Sequence, residues 1–265
     1  SRPRVTAGFV KREEQDKLFE AVLTCAEPRT VLTGMRGSGK TQLAATVATR
    51  CEEEGWPLVA WIDADSRDRL ITNLYNLALQ AGIEAPKDVP PETIVQRFLD
   101  QLRSADAEDR LFVFDNVENL DDLKGLAPEG DGARIIITTT RHLDWDSLGW
   151  FLLTVGVFKR EQSIALLCER NGDTDRDAAD QIAEALGDLP VAVTQAAATA
   201  KWGGYTLSGY LNMLRNHPLD SSISRFEGDD YPDAVGIVLF MAYEQAMEQI
   251  RTKHPQQEKI AISLL

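Results

Sequence analysis

Residues 34–41 read Gly-Met-Arg-Gly-Ser-Gly-Lys-Thr, a glycine-rich stretch with the pattern GxxxxGK followed by Ser or Thr. A short β-rich run at residues 30–33 precedes it, and a helical pattern follows it at residues 40–54. Glycines tolerate positive φ, which turns successive backbone N–H groups toward a common centre. The start of a helix adds its positive dipole end at the same place. The stretch therefore predicts an anion site of the kind that holds nucleotide phosphates.

Each position of this loop has an expected role. The Lys40 ammonium is expected to reach the β- and γ-phosphates, and the Thr41 hydroxyl is expected to ligate Mg²⁺. A glycine-rich turn without a ligand is the structural alternative, and the flanking strand and helix disfavour it. The residues expected around the nucleotide are Gly34, Met35, Arg36, Gly37, Ser38, Gly39, Lys40, Thr41 and Gln42.

The chain around the loop alternates between strand and helix patterns. Strands are predicted at residues 30–33, 58–62, 111–114, 135–138 and 151–157, and helices between or before them at residues 11–26, 40–54, 69–81 and 91–102. This alternation predicts an α/β P-loop NTPase fold, a parallel five-stranded sheet with helices on both faces. Strand patterns stop after residue 158, and a small all-helical domain is predicted from helices at residues 159–170, 177–186, 190–200 and 207–214.

The composition excludes several classes of protein. Hydrophobic residues make up 43% of the 265 residues and charged residues 26%, which excludes a disordered or fibrous chain. The net charge of −14 repels nucleic acid and anionic membranes, so neither is expected as a partner of this fragment. No apolar run reaches the roughly 18 residues of a membrane span.

The cysteines and the chain ends bear on location and completeness. Cys25, Cys51 and Cys168 are scattered in apolar helical patterns, so we interpret them as reduced core residues of a cytoplasmic protein. No leader pattern opens the chain. The chain begins at Ser1 without a Met and ends at Leu265 within an apolar stretch, so we expect it to be part of a longer protein.

A second candidate position closes the apolar run at residues 111–115, Leu-Phe-Val-Phe-Asp. A buried strand delivers Asp115 to the carboxyl edge of the sheet, beside the loop, where it is expected to hold Mg²⁺ through water. The structural alternative is that Asp115 caps a following helix. Many P-loop ATPases carry a second acid next, but Asn116 stands there and cannot act as a base. A helical step is expected to turn Glu118 elsewhere, so hydrolysis is left open.

Two further features lie downstream. Arg141 ends the β-branched run at residues 133–141 and is expected at the same sheet edge, where a cation pairs with a γ-phosphate. A solvated loop arginine is the alternative. Residues 187–190 read Gly-Asp-Leu-Pro between two predicted helices, a pattern that is also a plain helix stop followed by proline at the next first turn.

Taken together, these residues resemble the NB-ARC family of STAND P-loop ATPases, in its bacterial type, from residue 8 to about residue 215. Residues 9–13, Phe-Val-Lys-Arg-Glu, are similar to the family's hydrophobic-hydrophobic-Gly-Arg-Glu motif, with Lys11 where glycine is usual. The resemblance implies that Phe9, Val10 and Arg12 line the adenine. It also implies that Pro190 packs on the adenine and that Arg141 senses the γ-phosphate.

The resemblance implies a function as well. The family cycles between an ADP-bound closed monomer and an ATP-bound form competent for self-association, with Mg²⁺ and slow hydrolysis. Lys40, Asp115 and Arg141 match its catalytic positions. The implied domains are a nucleotide-binding domain at residues 1–158, a helical domain at residues 159–225 and the start of a winged-helix domain at residues 226–265. An AAA-type motor ATPase and a degenerate, non-hydrolysing scaffold are the alternatives.

Overall fold

The computed structural model describes residues 3–5, 9–24, 27–104, 109–129, 132–216 and 236. Contacts within the chain separate two compact units, Ser1–Gly156 and Val157–Leu265. Apart from residue 236, the predicted winged-helix segment at residues 226–265 lies outside the described residues. The predicted domain limits therefore stay predictions.

The first unit contains a five-stranded parallel sheet with the strand order β2-β3-β4-β1-β5. The strands are β1 (Arg29–Thr33), β2 (Leu58–Asp63), β3 (Arg110–Asp115), β4 (Ala133–Thr139) and β5 (Phe151–Thr154). The helices are α1 (Glu13–Leu23), α2 (Lys40–Glu53), α3 (Arg67–Gln80) and α4 (Pro91–Ser104), with a 3₁₀ helix at Leu120–Leu123. The predicted α/β P-loop NTPase fold is confirmed.

Both faces of the sheet are covered by helices. Alternate strand residues point to opposite faces and pack into two separate hydrophobic cores. On one face, Phe112, Phe114 and Ile137 pack with residues of α3 and α4 such as Leu74 and Phe98. The opposite core combines alternate residues of the same strands with α1 and α2, namely Leu18, Leu32, Leu43, Val47, Leu111, Val113 and Ile136. The period of two along each strand thus places helices on both faces.

The strand order brings the loop and two acidic strand ends to one edge. β1 lies between β4 and β5, and all pairings are parallel, so every strand points its carboxyl end the same way. β5 ends at Thr154, three residues before its predicted end at residue 157. Its pairing with β1 stops at Thr33, after which Val155 N–H donates to the Thr33 carbonyl at 2.7 Å.

The second unit, over its described residues, consists of four helices. They are α5 (Arg160–Asn171), α6 (Arg176–Ala185), α7 (Pro190–Gly203) and α8 (Leu207–Asn216), which confirms the predicted helical patterns. Side-chain caps organise the joints, because the Asp173 carboxylate accepts from the backbone N–H of Leu207 and of Asp175. These bonds lower the pKa of Asp173. The hydrophobic core of the second unit includes Leu167, Ile182, Val193, Tyr210 and Leu214.

Candidate nucleotide-binding site

The loop between β1 and α2 has the backbone that its glycines predict. Gly34, Gly37 and Gly39 have φ of 146°, 77° and 98°. Gly39 is the N-cap of α2, and Lys40 is the first helical residue. The predicted positive φ values and the predicted helix start are both confirmed. A left-handed residue directly before a helix turns N–H groups toward the helix axis, where the dipole favours an anion.

A close contact also requires glycine at position 34. A Cβ at this position would lie 2.2 Å from the carbonyl oxygen of Val155, a backbone atom that cannot move aside. The chain just after β5 therefore passes so near the loop that only glycine fits. Two constraints, the φ of 146° and this contact, act on one residue.

The Lys40 side chain lies inside the loop. Its Nζ donates to the carbonyl oxygens of Gly34 at 2.7 Å and Met35 at 2.9 Å. Burial lowers the pKa of Lys40 to about 8, and the nearby Asp115 carboxylate opposes that shift. The ammonium is thus held where phosphate oxygens would meet it, and an added anion would favour its charged form.

Thr41 and Asp115 meet at the sheet edge. The Thr41 hydroxyl donates to Asp115 Oδ1 at 2.9 Å, and the Thr138 hydroxyl donates to the same oxygen. Burial raises the pKa of Asp115, and the two hydroxyl bonds act against that shift. Asp115 does not cap a helix, so that alternative is wrong. A hydroxyl and a carboxylate within hydrogen-bond distance fit Mg²⁺, which accepts one or two protein oxygens beside phosphates and water.

The path of the chain after β3 differs from the expectation. No helix follows Asp115 directly, because Asn116 takes a left-handed conformation with φ 63° and its N–H donates to Thr138 Oγ1 at 2.9 Å. The Glu118 side chain is consequently not directed away from the loop, although a helix after Asp115 would have directed it away. Its carboxylate lies 3.6 Å from Arg36 Nη2 and 3.5 Å from Arg141 Nη2. The expectation for Glu118 was wrong.

Arg141 lies at the end of β4 on the loop side. Its N–H donates to the Thr139 hydroxyl at 3.0 Å, which fixes the backbone there. Its Nε donates to the Glu118 carbonyl at 3.0 Å, and its side chain is 60% exposed. The structure thus brings together Lys40, Asp115 and Arg141 with Glu118, while the catalytic roles of the first three stay predictions.

Arg12 has a structural role that the sequence did not reveal. Its guanidinium is buried and donates to the Ser38 carbonyl at 2.6 Å and to the Gly156 carbonyl at 3.1 Å. Burial lowers its pKa. Arg12 therefore ties the phosphate loop to the chain that follows β5. Lys11, which stands where the family has glycine, does not adopt a positive φ.

The remaining predicted residues fall in two places. Phe9 and Val10 are half-buried, and Phe9 packs against the α1–α2 side of the core. Gln42 donates from Nε2 to the Arg4 carbonyl at 3.4 Å. Pro190 belongs to the second unit, where it is the buried first residue of α7. The contacts of Phe9, Val10 and Pro190 with adenine, and of Gln42 with the nucleotide, stay predictions.

Two site residues were missed. Asp63 ends β2 and lies directly opposite Asp115 in the β2–β3 pairing. Thr138 is one residue beyond the last registered pair of β3 and β4, Phe114 with Ile137. Both lie at the ends of predicted strands. Knowledge of the strand order would therefore have identified them as neighbours of Asp115.

The described residues also bear on membranes and metals. In that part of the chain, no helix combines the length and the apolar character that a membrane crossing needs. No cluster of three or more His, Cys, Asp or Glu side chains suited to a metal occurs among them.

The chain is similar to a nucleotide-binding leucine-rich repeat (NLR)-like protein of the fungus Hyaloscypha variabilis. The two are 26% identical in an alignment 257 positions long, and the match covers 85% of this chain and 26% of the relative. The chain thus spans about a quarter of that relative's length. No model of a protein family matches the chain.

Solved structures share the fold. The Walker-type ATPase of Pyrococcus abyssi is 16% identical, with a TM-score of 0.52 over 96% of this chain and 79% of that one. The ORC2 protein of Aeropyrum pernix, solved as ADPNP and ADP complexes, is 19% identical, with a TM-score of 0.52 over 84% of this chain and 72% of that one. At such identities, these similarities concern the fold alone.

The parallel sheet and the glycine-rich loop define an α/β P-loop NTPase fold, which the solved structures share. Within that class, the similarity to the NLR-like protein confirms the predicted resemblance to the NB-ARC branch of the STAND ATPases. The relative is fungal, and the bacterial type stays a prediction.

Proposed function

We propose that this chain is the nucleotide-binding core of a molecular switch that distinguishes ADP from ATP. The observation that carries the proposal is the 2.9 Å contact between Thr41 Oγ1 and Asp115 Oδ1 beside a loop of three positive-φ glycines. This arrangement holds the two oxygen donors for Mg²⁺ next to the expected phosphate position. When bound, the cation would neutralise phosphate charge.

One comparison supports an adenine nucleotide, and a second supports a nucleotide in general. The ORC2 protein was solved with ADPNP and ADP, and the curated relative is a nucleotide-binding protein by name. The resemblance adds Phe9, Val10, Arg12 and Pro190 as the adenine contacts. Arg12 also donates to two carbonyl groups, so we propose that it supports the loop as well.

The switch requires a group that reads the γ-phosphate. We assign this role to Arg141, whose exposed guanidinium lies on the loop side of β4. Its substitution, Arg141→Ala, is expected to weaken binding of ATP while leaving ADP nearly unchanged, because only ATP carries the γ-phosphate. A contact shared by both nucleotides cannot bias a two-state equilibrium, whereas this one can.

Hydrolysis is proposed to be slow. Asn116 occupies the place where many P-loop ATPases have a second acid, and an amide cannot accept the proton of the attacking water. We expect turnover well below the typical enzyme median of about 10 per second. A rate at or above that median would instead favour the AAA-type motor.

The cellular setting is part of the proposal. Cys51 and Cys168 carry free thiols, and burial raises the pKa of Cys51 to about 12, so this thiol is unreactive. Free thiols suit a cytoplasmic protein. Self-association in the ATP state is proposed for the full-length protein, together with the absence of direct nucleic-acid binding by this part.

The test begins with the purified protein. Heat denaturation should release ADP or ATP, which chromatography identifies. Calorimetry should then show that Lys40→Met weakens ADP at least tenfold, because a charge-assisted bond to phosphate is worth about 1.5–3 kcal/mol. Met keeps the apolar stem, so the loop is less disturbed than with alanine.

Lys124→Met is the matched control. Lys124 is 78% exposed and pairs with Asp121, so this change also removes one lysine from an ion pair, and ADP affinity should hold. An unchanged ADP affinity in Lys40→Met, with no nucleotide released on heating, would refute the nucleotide-binding proposal.

A further inference from the structure

Glu118 bridges two arginines beside the phosphate loop. Its Oε1 faces Arg36 of the loop at 3.6 Å, and its Oε2 faces Arg141 at the end of β4 at 3.5 Å. The left-handed turn at Asn116 brings the carboxylate there, and the bond from Arg141 Nε to the Glu118 carbonyl, at 3.0 Å, keeps the two residues together. One carboxylate thus holds the arginines of two separate segments.

The bridge lies within the electrostatic field of the loop. Burial is the main cause of the lowered pKa of Lys40, but Arg36 lowers it further and Glu118 raises it, after the larger influence of Asp115. Arg36 and Glu118 therefore both act on the lysine expected to touch phosphate. An anion added next to Lys40 enters the same field.

We propose that Glu118 sets the preference of this site for a nucleoside diphosphate over a nucleoside triphosphate, by occupying the two arginines that would otherwise hold a third phosphate. The inference rests on the proposed function, since it concerns which nucleotide the loop retains. A diphosphate ends at the β-phosphate and leaves the bridge intact. A triphosphate has to displace the Glu118 carboxylate from Arg36 and Arg141. Its γ-phosphate is also repelled by the negative charge of that carboxylate.

The size of the effect follows from the exposure of the bridge. Both arginine side chains are 60% exposed and Glu118 is 36% exposed, so solvent screens each pair. Ion pairs of this kind contribute modestly, and two of them correspond to about a three- to tenfold change in relative affinity. That range is large enough to bias a switch and small enough for ATP to overcome.

The experiment compares ADP with a non-hydrolysable ATP analogue, each with Mg²⁺, by calorimetry on the full chain. Glu118→Gln is expected to shift the ratio of the two dissociation constants about three- to tenfold toward the triphosphate. ADP affinity should change less than the affinity for the analogue. An unchanged ratio would overturn the proposal.

Glu129→Gln is the matched control. Glu129 pairs with Arg103 at 2.9 Å, so the substitution is the same and also breaks an arginine pair. Glu129 precedes β4, at the amino edge of the sheet, whereas the loop lies at the carboxyl edge. The nucleotide ratio should stay at the wild-type value. A shift equal to that of Glu118→Gln would show an effect of net charge alone and would overturn the proposal.

Two further variants separate pairing from proximity. Glu118→Asp keeps the charge but shortens the side chain, so it should shift the ratio in the same direction by a smaller factor. In an Arg141→Gln background, Glu118→Gln should shift the ratio less than in the wild type. Equal shifts in both backgrounds would contradict a role through Arg141. Failure of the wild-type chain to bind either nucleotide would instead refute the proposed function itself.

Discussion

Two turns in this molecule place left-handed residues before the start of a helix, and they use that geometry differently. The phosphate loop reaches α2 through Gly39, with φ 98°. The turn at residues 187–190, here called the proline turn, reaches α7 through Gly187 and Asp188, with φ of 59° and 55°. Both contain glycine and both end in a helix, yet their polar groups have different partners.

The proline turn satisfies its own backbone. The N–H groups of Gly187 and Asp188 donate to the carbonyls of Glu184 and Ala183 at 3.1 and 3.0 Å. These bonds form a Schellman motif that ends α6. The Asp188 carboxylate is held by Arg160, and Pro190 provides the preset φ of a first helical turn. Each of these contacts terminates or starts a helix.

In the phosphate loop, by contrast, charged side chains lie in or beside the turn. Lys40 lies inside it, Asp115 and Thr41 meet beside it, and Glu118 faces its Arg36. A left-handed glycine before a helix is therefore, by itself, a way to end one element and start the next. It becomes a candidate ligand site only where charged side chains from other strands converge on it.

The largest expected difference between the turns lies in their glycines. Gly34→Ala should lower the free energy of unfolding by about 3 kcal/mol or more, because strain at positive φ adds to overlap with a backbone oxygen. Gly187→Ala should cost about 1 kcal/mol, since its φ of 59° is one that an L residue can adopt. Urea unfolding followed by circular dichroism measures both.

Gly55→Ala controls for the φ term. Gly55 has φ 79°, and its added Cβ would meet nothing within 4 Å, so the loss should match that of Gly187→Ala. If Gly34→Ala cost no more than Gly55→Ala, the close approach of the Val155 carbonyl would contribute nothing to the cost.

The second difference concerns pH. The bound phosphates favour charged Lys40, whose pKa is about 8. ADP affinity should therefore fall about tenfold between pH 7 and pH 9, with proton uptake on binding above pH 8. Calorimetry in two buffers of different ionisation enthalpy measures that uptake. Lys124→Met should keep the same pH profile, and a flat profile would contradict the assigned environment of Lys40.

The lowered pKa of Lys40 has the opposite consequence for the stability of the unliganded protein, because the contribution of Lys40 to that stability increases with pH. The unfolded chain keeps the lysine proton up to its ordinary pKa of 10.5, whereas the folded chain releases it near 8. Because the unfolded state binds more protons in that window, the contribution of Lys40 to stability rises with pH between about 8 and 10.5. Below 8, both states are protonated and the burial penalty is present in full.

A smaller effect is expected from the ion pair of the proline turn. Asp188→Asn should lower the free energy of unfolding by about 1 kcal/mol, because Asp188 is 14% exposed and accepts two bonds from Arg160 Nε. Asp121→Asn, at an exposed pair with Lys124, should change stability little. Equal costs for the two variants would mean that the Arg160 contact is as weakly stabilising as an open surface pair.

The smallest effect tests whether the proline turn has a second role. If Pro190 contacts the adenine, Pro190→Ala should weaken ADP and the ATP analogue equally, by about threefold, because the lost contact is apolar and both ligands carry the base. Pro91→Ala is the control, since Pro91 is also the first residue of a helix, and it should not change either affinity. No loss in Pro190→Ala would leave the turn as a helix joint.

The sequence predicted best where structure depends on neighbours along the chain. Gly34, Gly39 and Lys40 could be assigned because strand, turn and helix follow within a dozen residues. Asp115 was found because a continuous apolar run ends in one acid. The helices of the second unit were found for the same reason, since their periods and stop signals are local.

Prediction was wrong where one residue redirected the chain. Asn116 was judged by its side chain, but its left-handed backbone is what turns Glu118 toward Arg36 and Arg141. Asparagine tolerates that conformation better than most residues, yet nothing in the local pattern required it. The bonds of Arg12 to two carbonyls are visible only in the fold, and its contact with adenine stays a prediction.

The sequence alone therefore determined the phosphate loop, the alternation that makes a parallel sheet and the acid at the end of β3, because these depend on backbone preference and hydrophobic period. The tertiary structure alone decided which strand ends are neighbours. Asp63 and Thr138 adjoin Asp115 through the order β2-β3-β4, and Glu118 joins arginines from two segments. Such contacts link residues far apart in the chain, and packing of the whole sheet selects them.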